Sequence, residues 1–177
     1  MTLEITLSEQ DYVNHQLFIA SQSESVIKKR RVGRIVIPII YLLIGVPFFL
    51  WNSNGPGIFF IIIGILWFFF YPFYSRWKYR RHYQNYIKQY YQPRIGKPGT
   101  IELAKPFLKT KDETGKAQIK VEQIDQLVEL PQHFLIQLKS HQTFIIPKDQ
   151  VEDQTGFLTF FDELGTPKID QLKWRWR

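Results

Sequence analysis

From Ile35 to Ser75 the chain carries no Asp, Glu, Lys, Arg or His, and this run is broken only by Asn52-Ser53-Asn54-Gly55-Pro56-Gly57. Two apolar segments result, Ile35 to Trp51 and Ile58 to Tyr74, built from Ile, Leu, Phe, Tyr and Val. At about 1.5 Å rise per residue each segment spans roughly 25 Å as a helix, slightly less than a hydrocarbon layer of about 30 Å. Backbone groups placed in lipid must be satisfied within the segment, so runs of this kind are expected to be helices. The Gly-Pro-Gly sequence predicts a turn between them, which gives a two-helix transmembrane hairpin over residues 32–77. Arg34 and Trp77 would complete the spans by snorkelling or anchoring at the interface. A soluble helical hairpin would need far more protein around it than 177 residues supply. A cleaved signal peptide does not fit, because the first run starts too far from Met1.

The charge distribution orients the hairpin. The net charge is +7. Residues 1–94 hold 11 basic and 4 acidic side chains, and residues 95–177 hold 12 of each, so the excess lies in the first half. Lys28, Lys29, Arg30, Arg31 and Arg34 precede the first apolar run, and Arg76, Lys78, Arg80 and Arg81 follow the second. The connecting loop has no charge, so the bias of basic residues predicts both termini in the cytoplasm of a bacterial inner-membrane protein. These nine residues, with Trp51 and Trp77, form the expected membrane-interface set, and anionic lipid headgroups are the expected partner. That partner accounts for the basic clusters without nucleic acid. Neither run contains an Asp, Glu, Lys, Arg or His, which favours an anchor over a transporter. Gly45 and Gly64 offer places for close helix approach, and a homo-oligomer is compatible with the sequence.

Ahead of the hairpin, Leu3 to Leu7 alternates as a short strand, and Ser8 with Asp11 reads as the start of a helix. Val13, Leu17, Ala20 and Ile27 predict one face of an amphipathic helix running on to the membrane, within an N-terminal segment of residues 1–31. After the hairpin, Tyr79, Tyr83, Tyr86, Ile87 and Tyr90 recur at helical spacing until Pro93, predicting a helical extension over residues 78–93. The two stripes are expected to pack as a cytosolic stalk.

From residue 94 to 177 the pattern shifts to short alternating runs, predicting a cytoplasmic β-rich module. Candidate strands are Thr100 to Leu103, Phe107 to Thr110, Ala117 to Val121, Gln126 to Leu130, Phe134 to Leu138 and Thr143 to Pro147. Short connections imply antiparallel neighbours. Asp153 predicts the cap of a helix over Gln154 to Leu164, with Phe157, Phe160, Phe161 and Leu164 buried and Gly165 as its stop. The tail Trp174-Arg175-Trp176-Arg177 is compatible with a membrane-surface segment or a packed strand.

The order of these features is similar to that of the bacterial YcxB-like membrane proteins. It is carried by the Leu3 to Leu7 strand with its capped helix, the basic-flanked hairpin, Phe144-Ile145-Ile146-Pro147-Lys148 and Trp174-Arg175-Trp176. The resemblance covers nearly the whole chain. It implies a C-terminal module like pleckstrin-homology folds, and no activity that maps onto particular residues.

The sequence offers little to catalysis. With no Cys, thiol nucleophiles, iron–sulfur clusters and Cys-based zinc sites are excluded. His15, His82, His133 and His141 lack metal-ligand spacing, and neither a phosphate loop nor a nucleophile elbow is present. No catalytic, cofactor or metal residue is assigned. His133 and His141 are expected to be solvated turn residues. Asp112, Glu113, Asp149, Glu152 and Asp153 are expected to serve turns and caps. The expected class is a non-enzymatic membrane protein whose module binds a protein partner or regulates an envelope process. The alternatives are an immunity protein against a membrane-acting toxin and an enzyme with an unrecognised site.

Overall fold

The computed structural model describes residues 1–50, 54–113 and 115–177. The fold is mixed α+β, with four helices and eight strands among the described residues. It divides into two compact units, one formed by Met1–His15 with Tyr86–Arg175, the other by Gln16–Asn85 with Trp176–Arg177.

In the first unit, β1 (Thr2–Thr6) pairs antiparallel with β2 (Pro98–Leu103), Leu3 opposite Ile101, across the intervening helical segment. The sheet continues through β3 (Phe107–Asp112) to β4 (Gly115–Lys120) in the order β1-β2-β3-β4. The second sheet contains β5 (Ile124–Glu129), β6 (His133–Leu138) and β7 (Thr143–Pro147), with β8 (Lys168–Asp170) on its edge. β8 runs parallel to β5, so this sheet is mixed, not wholly antiparallel. The helical connection after β7 makes a parallel return possible, because a tight hairpin can join only antiparallel strands. Residues 174–177 form no strand, so of the two alternatives for the tail the packed strand is not met there, and the C-terminal strand is Lys168–Asp170.

Alternation places Leu3, Ile5, Ile101, Leu103 and Leu108 of the first sheet in one core with Leu127, Phe134, Ile136 and Ile146 of the second. Helix α4 (Gln154–Glu163) closes this core with Phe157 and Phe161, both fully buried. Asp153 caps it, Oδ1 accepting from the Gly156 backbone N–H at 2.8 Å. Gly165, at φ +66°, ends it in the left-handed region that favours glycine. Phe160 and Leu164 are only half-buried, at the margin of the core. A helical face is about a third of the circumference, and the centre of this face falls on Phe157 and Phe161.

In the second unit, α2 (Glu24–Leu50) and α3 (Asn54–Tyr90) run antiparallel. Small residues set their approach. A Cβ on Gly45 would lie 3.1 Å from the Gly57 carbonyl oxygen, and one on Gly64 would lie 3.4 Å from that of Pro38. Both helices are long and apolar enough to cross a membrane. Helix α3 begins at Asn54, so Gly55-Pro56-Gly57 belongs to its first turn and not to an interhelical turn. Proline is tolerated in a first turn, where its missing N–H would have no intrahelical partner. Asn52 and Ser53 lie outside the described residues.

The expected continuous helix into the first apolar run is interrupted. Helix α1 (Glu9–Gln22) stops before Ser23, whose N–H bonds back to Ala20 at 3.3 Å and whose carbonyl accepts from Ile27 at 3.0 Å. Ser23 thus sits at the start of α2, where a small polar residue suits a helix entry. The interruption shifts the helical phase, and Ile27 is 42% exposed while Val13, Leu17 and Ala20 are buried. The tyrosine stripe is also less buried than expected: Tyr86 and Tyr90 are exposed with their rings packed on each other at 4.9 Å, and Ile87 alone of the row is fully buried.

Candidate functional site

The basic flank of α2 does not form a uniform belt. Lys28, Lys29 and Arg31 are exposed, whereas Arg30 and Arg34 are half-buried. Arg30 is held on three sides. Its Nε donates to Ser75 Oγ at 3.0 Å, its guanidinium lies 4.5 Å from the Trp176 ring centre, and a terminal nitrogen donates to the Arg177 carbonyl oxygen. Trp176 is itself fixed, its indole N–H donating to the Arg76 carbonyl at 3.3 Å and its ring meeting Tyr79 edge to face. The tail residue is therefore packed on the helical unit.

Arg34 stacks on Phe68 at 4.4 Å, and its Nε is buried with no hydrogen-bond partner among the described residues. Opposite it, Trp67 donates to the Gly33 carbonyl at 3.0 Å. Tyr71 lies so close to Gly33 that a Cβ there would sit 2.3 Å from its hydroxyl oxygen. This close approach leaves a cavity of about 310 Å³ between the two helices, with Arg30, Arg31 and Arg34 on one side and Tyr71 and Ser75 on the other. On the far flank Arg76, Trp77, Lys78, Arg80 and Arg81 are exposed. Lys78 lies over Tyr74 at 5.9 Å and Arg81 over Trp77 at 5.4 Å, geometry in which aromatic faces hold cations near an apolar boundary. Trp51 lies outside the described residues.

A second polar centre lies in the β-rich unit. His133, expected as a solvated turn residue, is 4% exposed at the start of β6, its Nε2 lying 2.7 Å from Asp11 Oδ1. The Asp11 carboxylate supplies a partner that lets the ring be buried. Asp11 Oδ2 accepts from the Ser8 N–H at 2.7 Å and from its hydroxyl at 2.6 Å. Burial alone would raise the Asp11 pKa, but the hydrogen bonds from His133 and Ser8 outweigh it and hold the group below its usual value. His15 is pushed down to about 4, chiefly by burial and further by the charge of His133, and its Nε2 has no partner among the described residues. Local sequence carries no signal for this centre, because Asp11 and His133 are 122 residues apart.

Ser8, Asp11 and His133 do not form a nucleophilic triad. Activation requires the hydroxyl to face the imidazole, and here the carboxylate stands between them. Ser8 and Asp11 instead close the start of α1. His141 is exposed in its turn at φ +65°, and Asp112 closes the β3–β4 turn by accepting from the Gly115 N–H at 3.0 Å. Among the described residues no group of three or more His, Asp or Glu is placed to hold a metal ion. No protein-family model matches the chain, and neither a curated protein nor a solved structure matches it significantly.

Proposed function

We propose that this chain is a non-enzymatic, multi-pass bacterial inner-membrane protein of the YcxB-like type, whose cytoplasmic β-rich module binds a protein partner at the membrane surface. The observation that carries the reading is the outward face of α2 and α3. Leu43, Leu50, Phe59, Phe69, Phe70 and Phe73 are 59% to 81% exposed, and basic residues flank both apolar runs. A soluble protein rarely leaves so large a contiguous apolar surface to water. In lipid the same surface is matched, and the basic flanks favour the cytoplasmic side.

The module supports a binding role by its architecture. The sheets β1-β2-β3-β4 and β7-β6-β5-β8, closed by α4, support the pleckstrin-homology-like reading that the family resemblance implies. That fold commonly serves as a recognition platform, and the function is inferred from the analogy.

Because the chain has no Cys, single-cysteine labelling is clean. Gly55→Cys, at a position where an added Cβ meets none of the described residues within 4 Å, and Lys116→Cys on exposed β4 are the two probes. In intact cells a membrane-impermeant maleimide is expected to label the first and spare the second. Labelling of Lys116→Cys without lysis would overturn the orientation. Site-specific photocrosslinking from β4 in native membranes then tests the partner. A discrete adduct lost when β4 is redesigned supports binding, and an empty crosslinking profile across the exposed strands opposes it.

A further inference from the structure

We infer that the cavity between α2 and α3 is a specific site for the phosphate of an anionic phospholipid, an assignment that rests on the membrane reading above. Arg30, Arg31 and Arg34 lie within little more than one turn of α2, and no carboxylate among the described residues lines the cavity with them. Like charges so placed repel unless an anion joins them. Arg30 is already committed to Ser75, Trp176 and Arg177, which fixes its guanidinium at the rim. Arg34 has unspent capacity, since its buried Nε lacks a partner among the described residues while its ring-stacked plane is held on Phe68. Its two terminal nitrogens carry four further N–H donors, and a phosphate in the cavity would take them in charge-assisted bonds.

The remaining walls select the source of the phosphate. Ile35, Phe68 and Pro72 give the cavity an apolar side continuous with the uncharged runs. Free phosphate has no use for that surface, but the glycerol and first acyl carbons of a phospholipid do. The cavity also sits where charge ends, Arg34 preceding Ile35 and Ser75 preceding Arg76, which is headgroup depth for a spanning helix pair.

The test uses the full chain in nanodiscs of phosphatidylcholine in excess over phosphatidylglycerol, with retained lipid counted by native mass spectrometry after detergent release. Wild type is expected to retain phosphatidylglycerol selectively. Arg34→Gln is expected to lower its occupancy about tenfold, as loss of a charge-assisted contact implies. Arg31→Gln should lower it several-fold, and Lys28→Gln, equal in charge but outside the cavity, should leave it within about twofold. Arg34→Lys keeps the charge without Nε and should fall between, which keeps the test sound if Arg34→Gln loses its helical circular dichroism. Equal losses in all these variants would mean a diffuse charge belt and overturn the site. Displacement of the lipid by inorganic phosphate at matched concentration would overturn the lipid as ligand. Protein that stays dispersed in buffer and does not enter nanodiscs would overturn the membrane reading and this assignment together, whereas incorporation without phosphatidylglycerol preference would overturn this assignment alone.

Discussion

His133 Nε2 lies 2.7 Å from Asp11 Oδ1, joining the start of β6 to the first turn of α1 across 122 residues of chain. The pair, with Ser8 on the second carboxylate oxygen, gives a buried ring an acceptor and a helix start its cap. Asp11→Ala removes both at once. The expected cost is about 2 to 3 kcal/mol, because a buried His is left without its acceptor. Chemical denaturation of the detergent-solubilised chain checks it, and Asp11→Asn, which keeps an acceptor, should recover part of the loss.

The pH dependence follows from the same centre. His15 has its pKa lowered from 6.5 to about 4 in the folded state, so between these values the unfolded chain binds more protons. Stability should therefore fall as pH drops through 6.5 and level off below 4, with a slope approaching about 1 kcal/mol per pH unit. Asp11, also lowered, contributes above its ordinary value of 3.8 and loses that contribution as pH falls through its folded pKa. His15→Leu should flatten the first window and leave the second. Thermal melts across pH 3 to 8 distinguish these outcomes, and an unchanged profile in His15→Leu would refute the assignment to His15.

The core face of α4 gives a graded pair. Phe161 is fully buried and touches Phe157 at a ring distance of 5.0 Å, while Phe160 lies at the core margin. Phe161→Ala should cost about 3 to 5 kcal/mol and Phe160→Ala clearly less. Equal losses in urea titrations would show that the helix is rotated from the position described.

Helix approach in the second unit depends on Gly45, whose added Cβ would meet the Gly57 carbonyl oxygen and Phe60 Cβ, each at 3.1 Å. Gly45→Leu must separate the backbones and should destabilise the pair by about 1 to 3 kcal/mol. Gly55→Ala, with none of the described residues within 4 Å of its Cβ, is the neutral control. Thermal unfolding in micelles, followed by helical circular dichroism, reads both.

What the sequence by itself determined is what local pattern can encode. The uncharged run with its basic flanks specified two long apolar helices, because an all-round apolar surface depends on composition and not on contacts. Period-two alternation likewise located β1 to β7 to within a few residues, and Asp153 with Gly165 marked both ends of α4, since caps and left-handed stops are properties of single positions. The tertiary structure alone decided which distant segments meet. Nothing local says that β1 pairs with β2 across the helical insertion, or that Lys168–Asp170 returns parallel to β5. Arg30 and Arg34 were legible as members of a basic cluster, but their difference from Lys28 was not. Burial, the Ser75 and Trp176 contacts, and an Nε without a partner among the described residues arise only when α2 meets α3 and the tail. The same holds for His133, whose burial became affordable only because Asp11 folds against it. Side-chain chemistry is written in the residue, but its solvation, and so its energy, is set by neighbours the chain brings from elsewhere.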